Sequence, residues 1–128
     1  KLYKNAVYNV ESEAFLLVTK RMERFYRLVE QNGSVPVIIL FPDVEDMKQY
    51  ARNQTRKYDP LLSYLRSKEF RHVDLMEAFL ARQGDVNKGI FSKSQGGHYN
   101  ALGNEIVADH LLEFLSQLGA DLPGEYPR

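Results

Sequence analysis

The sequence predicts an α/β fold, a three-layer α/β/α sandwich built on a parallel sheet. Three observations carry that prediction. Apolar residues recur at helical steps of three and four within 12–31 and again within 100–118. Val35 to Phe41 is a near-continuous apolar run rich in β-branched side chains, the pattern of a parallel strand buried on both faces. The elements also follow the order helix, strand, helix, helix, strand, helix, helix, which brings strands side by side in parallel.

Taken in order, residues 1–10 lack periodicity and read as an irregular lead-in. Ser12 is a natural N-cap for a helix running to Gln31, with Phe15, Val18, Met22, Phe25 and Val29 as its buried stripe. Asn32-Gly33 ends that helix, glycine being the usual left-handed residue after a helix. Pro36 suits the first positions of the strand that follows, where no ladder donor is needed. After Pro42-Asp43 a helix turns Met47, Tyr50 and Ala51 inward and carries Lys48, Arg52 and Arg56 as a solvated basic stripe. Asp59 caps the next helix, with Pro60 at its first position and Leu61, Leu62 and Leu65 on its apolar face.

A second short strand spans His72 to Leu75 and runs into a helical turn bearing Met76, Phe79 and Leu80. Gln83 to Lys88 reads as a loop. The last helix starts near Asn100, buries Val107, Leu111, Phe114 and Leu118, and is stopped by Gly119, leaving 121–128 as a tail.

At 128 residues and 44% hydrophobic content the chain suffices for one domain and hardly two. Lys plus Arg (17) balance Asp plus Glu (17), which argues against a nucleic-acid binder, whose affinity rests on many basic phosphate contacts. The same balance argues against a polybasic membrane-surface protein. With no cysteine there is no disulfide or thiolate metal site, and the three histidines are too scattered for a ligand set, so no metal or cofactor is expected. The longest apolar run is too short for a transmembrane segment. Compartment stays open, with the periplasm or the cell exterior as options for a longer parent protein.

Two strands are too few for an independently stable sheet. Either the lead-in or a partner chain adds a strand, or 1–128 is the C-terminal part of a larger α/β fold, the reading adopted here. An open edge of this kind invites pairing, so a homo-oligomer through the exposed sheet edge is expected.

The most informative stretch is Gln95-Gly96-Gly97-His98-Tyr99-Asn100-Ala101-Leu102-Gly103-Asn104. Paired glycines allow a tight backbone turn, and histidine both takes and returns protons near neutrality. Gly97 to Ala108 resembles the final block of the SGNH (GDSL-type) hydrolase superfamily, where a histidine precedes a small-residue turn and a helix. Glu11 to Gly33 looks like the family's helix leading into a core strand, Val35 to Pro42 is similar to that strand, and His72-Val73-Asp74-Leu75 to the strand before the catalytic loop.

The resemblance implies that His98 is a general base activating a serine toward an acyl ester or acylated carbohydrate. The family's aspartate two or three residues before that histidine is replaced by Gly96 and Gln95. No Gly-Asp-Ser block is present, since Gly84-Asp85 is followed by Val86. In the serine-protease template, amidating the supporting acid lowers turnover by about 10,000-fold, and a helix N-terminus disfavours a cation, so neither neighbour compensates.

Gln95 is expected to orient the ring, while Asp74 and Asp43, near strand ends, are candidates for the missing acid. Ser92 and Ser94 are the hydroxyls nearest His98 in sequence, but the family's nucleophile lies on another strand. The alternatives are a non-catalytic SGNH-like binding or scaffold module on surface carbohydrate, and an unrelated flavodoxin-like interaction domain.

Overall fold

A computed structural model describes residues 1–5, 7–86, 89–92 and 97–121, apart from the side chains of Asp85, Ala120 and Asp121. The chain divides into two compact units, Lys1–Asp74 and Leu75–Arg128.

The first unit opens with a hairpin where the sequence promised an irregular lead-in. Strands β1 (Tyr3–Lys4) and β2 (Val7–Tyr8) pair antiparallel, Tyr3 opposite Tyr8. Strands of two residues carry no readable alternation, hence the mistaken expectation. Asn5 takes the left-handed turn position (φ 52°), a conformation asparagine tolerates better than most residues.

Helix α1 (Glu13–Gln31) begins where expected, with Ser12 Oγ accepting the Phe15 N–H at 3.2 Å. It ends in a Schellman arrangement. Gly33 (φ +74°) donates to Glu30 O and Ser34 to Val29 O. Its buried stripe is rotated from the one expected: Phe15, Thr19 and Tyr26 are buried, while Val18 and Phe25 stand 44% and 50% exposed. Two polar tips make this possible. Thr19 Oγ1 donates back to the Phe15 carbonyl, and Tyr26 Oη accepts the Arg71 N–H at 2.9 Å. Neither side chain is then buried unsatisfied.

Strands β3 (Ile38–Leu40) and β4 (His72–Asp74) pair in parallel, Ile38 opposite His72 and Leu40 opposite Asp74. Between them come α2 (Val44–Asn53) and α3 (Asp59–Ser67). No third strand joins this sheet among the described residues. The molecule is thus mixed α/β with a small parallel sheet. The apolar run is not covered on both faces as expected. Ile38 is buried, whereas Ile39 is 37% and Phe41 57% exposed.

The core of this unit joins Phe15, Tyr26, Ile38, Tyr58, Leu61 and Leu65 with their buried neighbour Leu62. Burying each such aliphatic side chain contributes about 1.5–3 kcal/mol. Tyr26 stacks on Phe70 with ring centroids 4.1 Å apart, and Tyr64 meets Phe70 edge-on.

Three local expectations need correction. In α2 the inward positions are Asp46, Met47 and Tyr50, and Ala51 is exposed. The basic stripe stops at Arg52, because Gln54 adopts a left-handed conformation (φ 60°) that ends the helix and redirects Arg56 inward. In α3, Tyr58 precedes the helix and Asp59 is its first residue, accepting the Arg56 N–H at 2.8 Å rather than capping from outside.

The second unit begins with α4 (Leu75–Ala81), whose Leu75, Met76 and Phe79 are fully buried. A single helical turn, α5 (Gln83–Val86), occupies part of the expected loop. Helix α6 (Ala101–Asp121) buries Ile106 and Val107. Gly119 does not stop it, since one glycine costs a helix only about 1 kcal/mol. The expected tail beyond Asp121 lies outside the described residues.

Candidate functional site

His98 sits two residues before the cap of α6, on a turn held from both sides. Gly97, just before it, has a positive φ (+90°), a conformation glycine adopts freely. The His98 carbonyl accepts the Ser92 N–H at 2.8 Å, and Phe91 and Tyr99 form an antiparallel bridge. The Tyr99 ring lies 5.2 Å from Phe79, edge-on, and 5.2 Å from Phe91.

Asn100 locks the next step. Its N–H donates to Ile90 O, its Nδ2 to Gly89 O at 2.8 Å, and its Oδ1 accepts the Gly103 N–H at 2.9 Å. That last bond is the N-cap of α6. Gly103 is required there, because a Cβ would lie 2.5 Å from the Ile90 carbonyl oxygen.

Against this fixed main chain the His98 side chain is exposed, and no hydrogen bond or ion pair joins its ring to another described residue. Ser92 meets His98 through the main chain. Gln95 and Ser94, also considered from sequence, lie outside the described residues. His72 is tied down structurally, its Nδ1 donating to the Phe70 carbonyl at 2.7 Å. His110 is half-buried on α6.

Asp74 and Asp43 belong to the other unit, at the carboxyl ends of the parallel strands, and both are engaged there. Asp74, the last residue of β4, accepts the Tyr58 hydroxyl at 2.8 Å and faces Arg56 Nε at 3.0 Å. The Asp74 and Arg56 side chains are only 4% and 16% exposed. The Arg56 contact is a charge contact rather than an aligned hydrogen bond. Arg56 also lies over the Tyr50 ring, 5.1 Å from its centroid. Burial, together with the Asp74 carboxylate, pushes the Tyr58 hydroxyl far above its usual range, so it serves as a fixed donor.

Asp43 caps α2 in a reciprocal box with Asp46: each carboxylate accepts the other's N–H, at 2.8 and 2.9 Å. Lys57 Nζ bridges the pair, 2.8 Å from Asp43 and 3.4 Å from Asp46. Burial would raise Asp43, but the bonds from Lys57 and the Asp46 N–H outweigh it and hold the carboxyl below its ordinary value. Burial dominates at Asp46, which is raised. Burial disfavours the charged Lys57 amine, yet its two carboxylate partners raise it overall.

Lys57 and Tyr58 were not singled out from the sequence, and Arg56 was read only as part of a solvated basic stripe. The one available signal was the basic pair Arg56-Lys57 just before a proline-initiated helix, where the chain returns to the sheet. Among the described residues, no group of three or more His, Asp or Glu side chains is placed to hold a metal ion. No described helix is long and apolar enough to cross a membrane. Comparison with known proteins returns no matching family model, no matching curated protein and no matching solved structure.

Proposed function

We propose that residues 1–128 form the histidine-bearing C-terminal part of an SGNH-like serine esterase. In this reading the sheet continues through further strands into a three-layer sandwich, and a serine outside this chain attacks an acyl ester. His98 takes the serine proton as the serine oxygen bonds to the carbonyl carbon, then gives it to the alcohol oxygen as the ester C–O bond breaks. Water, deprotonated by the same histidine, next cleaves the acyl-serine to release the acid and restore the serine.

One observation carries the reading. The His98 main chain is hydrogen-bonded and its side chain is exposed, which suits a base that must meet a group from elsewhere rather than a side chain that holds the fold. The crossover helices that accompany added parallel strands would also cover the open sheet face that Ile39 shares, as a buried parallel sheet requires.

A second reading, a non-catalytic binding module of the same type, is favoured by the state of Asp74 and Asp43. Each is committed to partners within its own unit. A serine-directed fluorophosphonate probe applied to the whole parent protein separates the two. The esterase reading expects one labelled serine, located outside 1–128 by peptide mass spectrometry, with labelling slowed by His98→Ala. No labelling, or labelling of Ser92 or Ser94, overturns it.

A further inference from the structure

Helix α1 carries a second, outward stripe beside its buried one. Ala14, Val18, Arg21, Phe25 and Leu28 recur at steps of four and three, and Val18, Phe25 and Leu28 are each nearly half exposed. At its N-terminal end, Leu2, Ala14, Val18, Met22 and Leu61 line an apolar groove of about 290 Å³. The stripe has a basic border, Lys20 and Arg24, and neither these nor Arg21 is ion-paired to another described residue.

Helix α6 carries a matching stripe of opposite sign. Ala101, Glu105, Ala108, Leu112 and Leu115 recur at the same steps, with Leu112 and Leu115 exposed by 68% and 56%. Asp109 and Glu113 border it. Glu105 and Asp109 reach Arg82 at 3.5 and 2.8 Å yet keep more than half of their side-chain surface open.

Steps of four and three are the spacing by which two helices interlock side by side. The α1 stripe is mostly large and carries Arg21 at its centre, whereas that of α6 has the small Ala101 and Ala108 on either side of Glu105. Pairing α1 with α1 antiparallel about Arg21 would set two guanidiniums together, and pairing α6 with α6 would gather carboxylates.

We infer that α1 of one copy docks on α6 of a second copy, with Arg21 and its basic border facing Glu105 and its acidic border. Made reciprocally, the contact closes a two-fold dimer; made once per copy, it builds open chains.

Sedimentation velocity of the whole parent protein over a wide concentration range tests this, at low and high salt. The wild type is expected to self-associate, more weakly in high salt. Arg21→Glu and Glu105→Arg should each weaken association by about tenfold or more. The double variant should restore it, and all should keep the wild-type circular dichroism spectrum. A monomer at every concentration overturns the inference. So does association that ignores both charge reversals, which is the result expected of pairing through the sheet edge. Flotation of a monomeric chain with phosphatidylglycerol vesicles, lost in Arg21→Glu, would reassign the α1 face to a membrane surface.

Discussion

The two units use polar chemistry in opposite ways. In Lys1–Asp74 the polar groups near the sheet are paired with one another: Arg56 and Tyr58 on the buried Asp74, Lys57 on Asp43 and Asp46. In the unit from Leu75 onward, main-chain bonds and aromatic rings fix the turn around His98, and the imidazole is left open. A carboxylate at a strand end is therefore not in itself a candidate acid. Here two of them hold loops to the sheet, while the histidine carries little of the fold. Substitutions can break or sharpen this contrast.

The largest effect is expected at Asp74. Asp74→Ala takes from Arg56 its nearer carboxylate, leaving Asp59 at 3.7 Å, and takes from Tyr58 its acceptor. Removing one partner of a buried pair costs about 3–5 kcal/mol, readable from urea unfolding. A loss below about 1 kcal/mol would mean that the cluster does not hold the unit together.

Gly103→Ala comes next. Its Cβ would press on the Ile90 carbonyl at 2.5 Å and on Tyr99 at 3.0 Å, both backbone or near-backbone atoms. A loss of about 1–3 kcal/mol is expected from overpacking of this kind. An unchanged melting temperature would show the turn to be looser than described.

The smallest effects concern pH. Asp43 is lowered on folding, so its contribution is present above the ordinary carboxylate value of about 3.9 and is lost as pH falls. Asp46 is raised, so its contribution is present in acid and is lost as pH rises through its folded value. The two oppose each other. Denaturant midpoints between about pH 6 and 3 should fall less steeply in Asp43→Asn than in wild type, and more steeply in Asp46→Asn. Slopes changing in the same direction would contradict the assignment.

How much of this was legible follows the same division. The start of α1 at Ser12, its end at Gly33, and the strands around Ile38–Leu40 and His72–Asp74 could be read from local pattern, because caps and apolar runs are local signals. The true face of α1 could not. Thr19 and Tyr26 look polar until the Phe15 carbonyl and the Arg71 N–H are seen to satisfy them. Arg56 was read as surface because a left-handed Gln54 is invisible to periodicity. At the candidate site, His98 stood out through its glycines and the helix after it, but its Ile90, Phe79 and Phe91 supports are contacts that only folding reveals.

The central claim is that His98 is held in place for chemistry and not for stability. The most direct measurement is p-nitrophenyl acetate hydrolysis by the whole parent protein and its His98→Ala variant, at matched folded concentration. The account predicts that turnover falls by about 100- to 10,000-fold while stability changes by no more than about 0.5 kcal/mol. Unchanged hydrolysis, or a variant that loses its activity by unfolding, would contradict it.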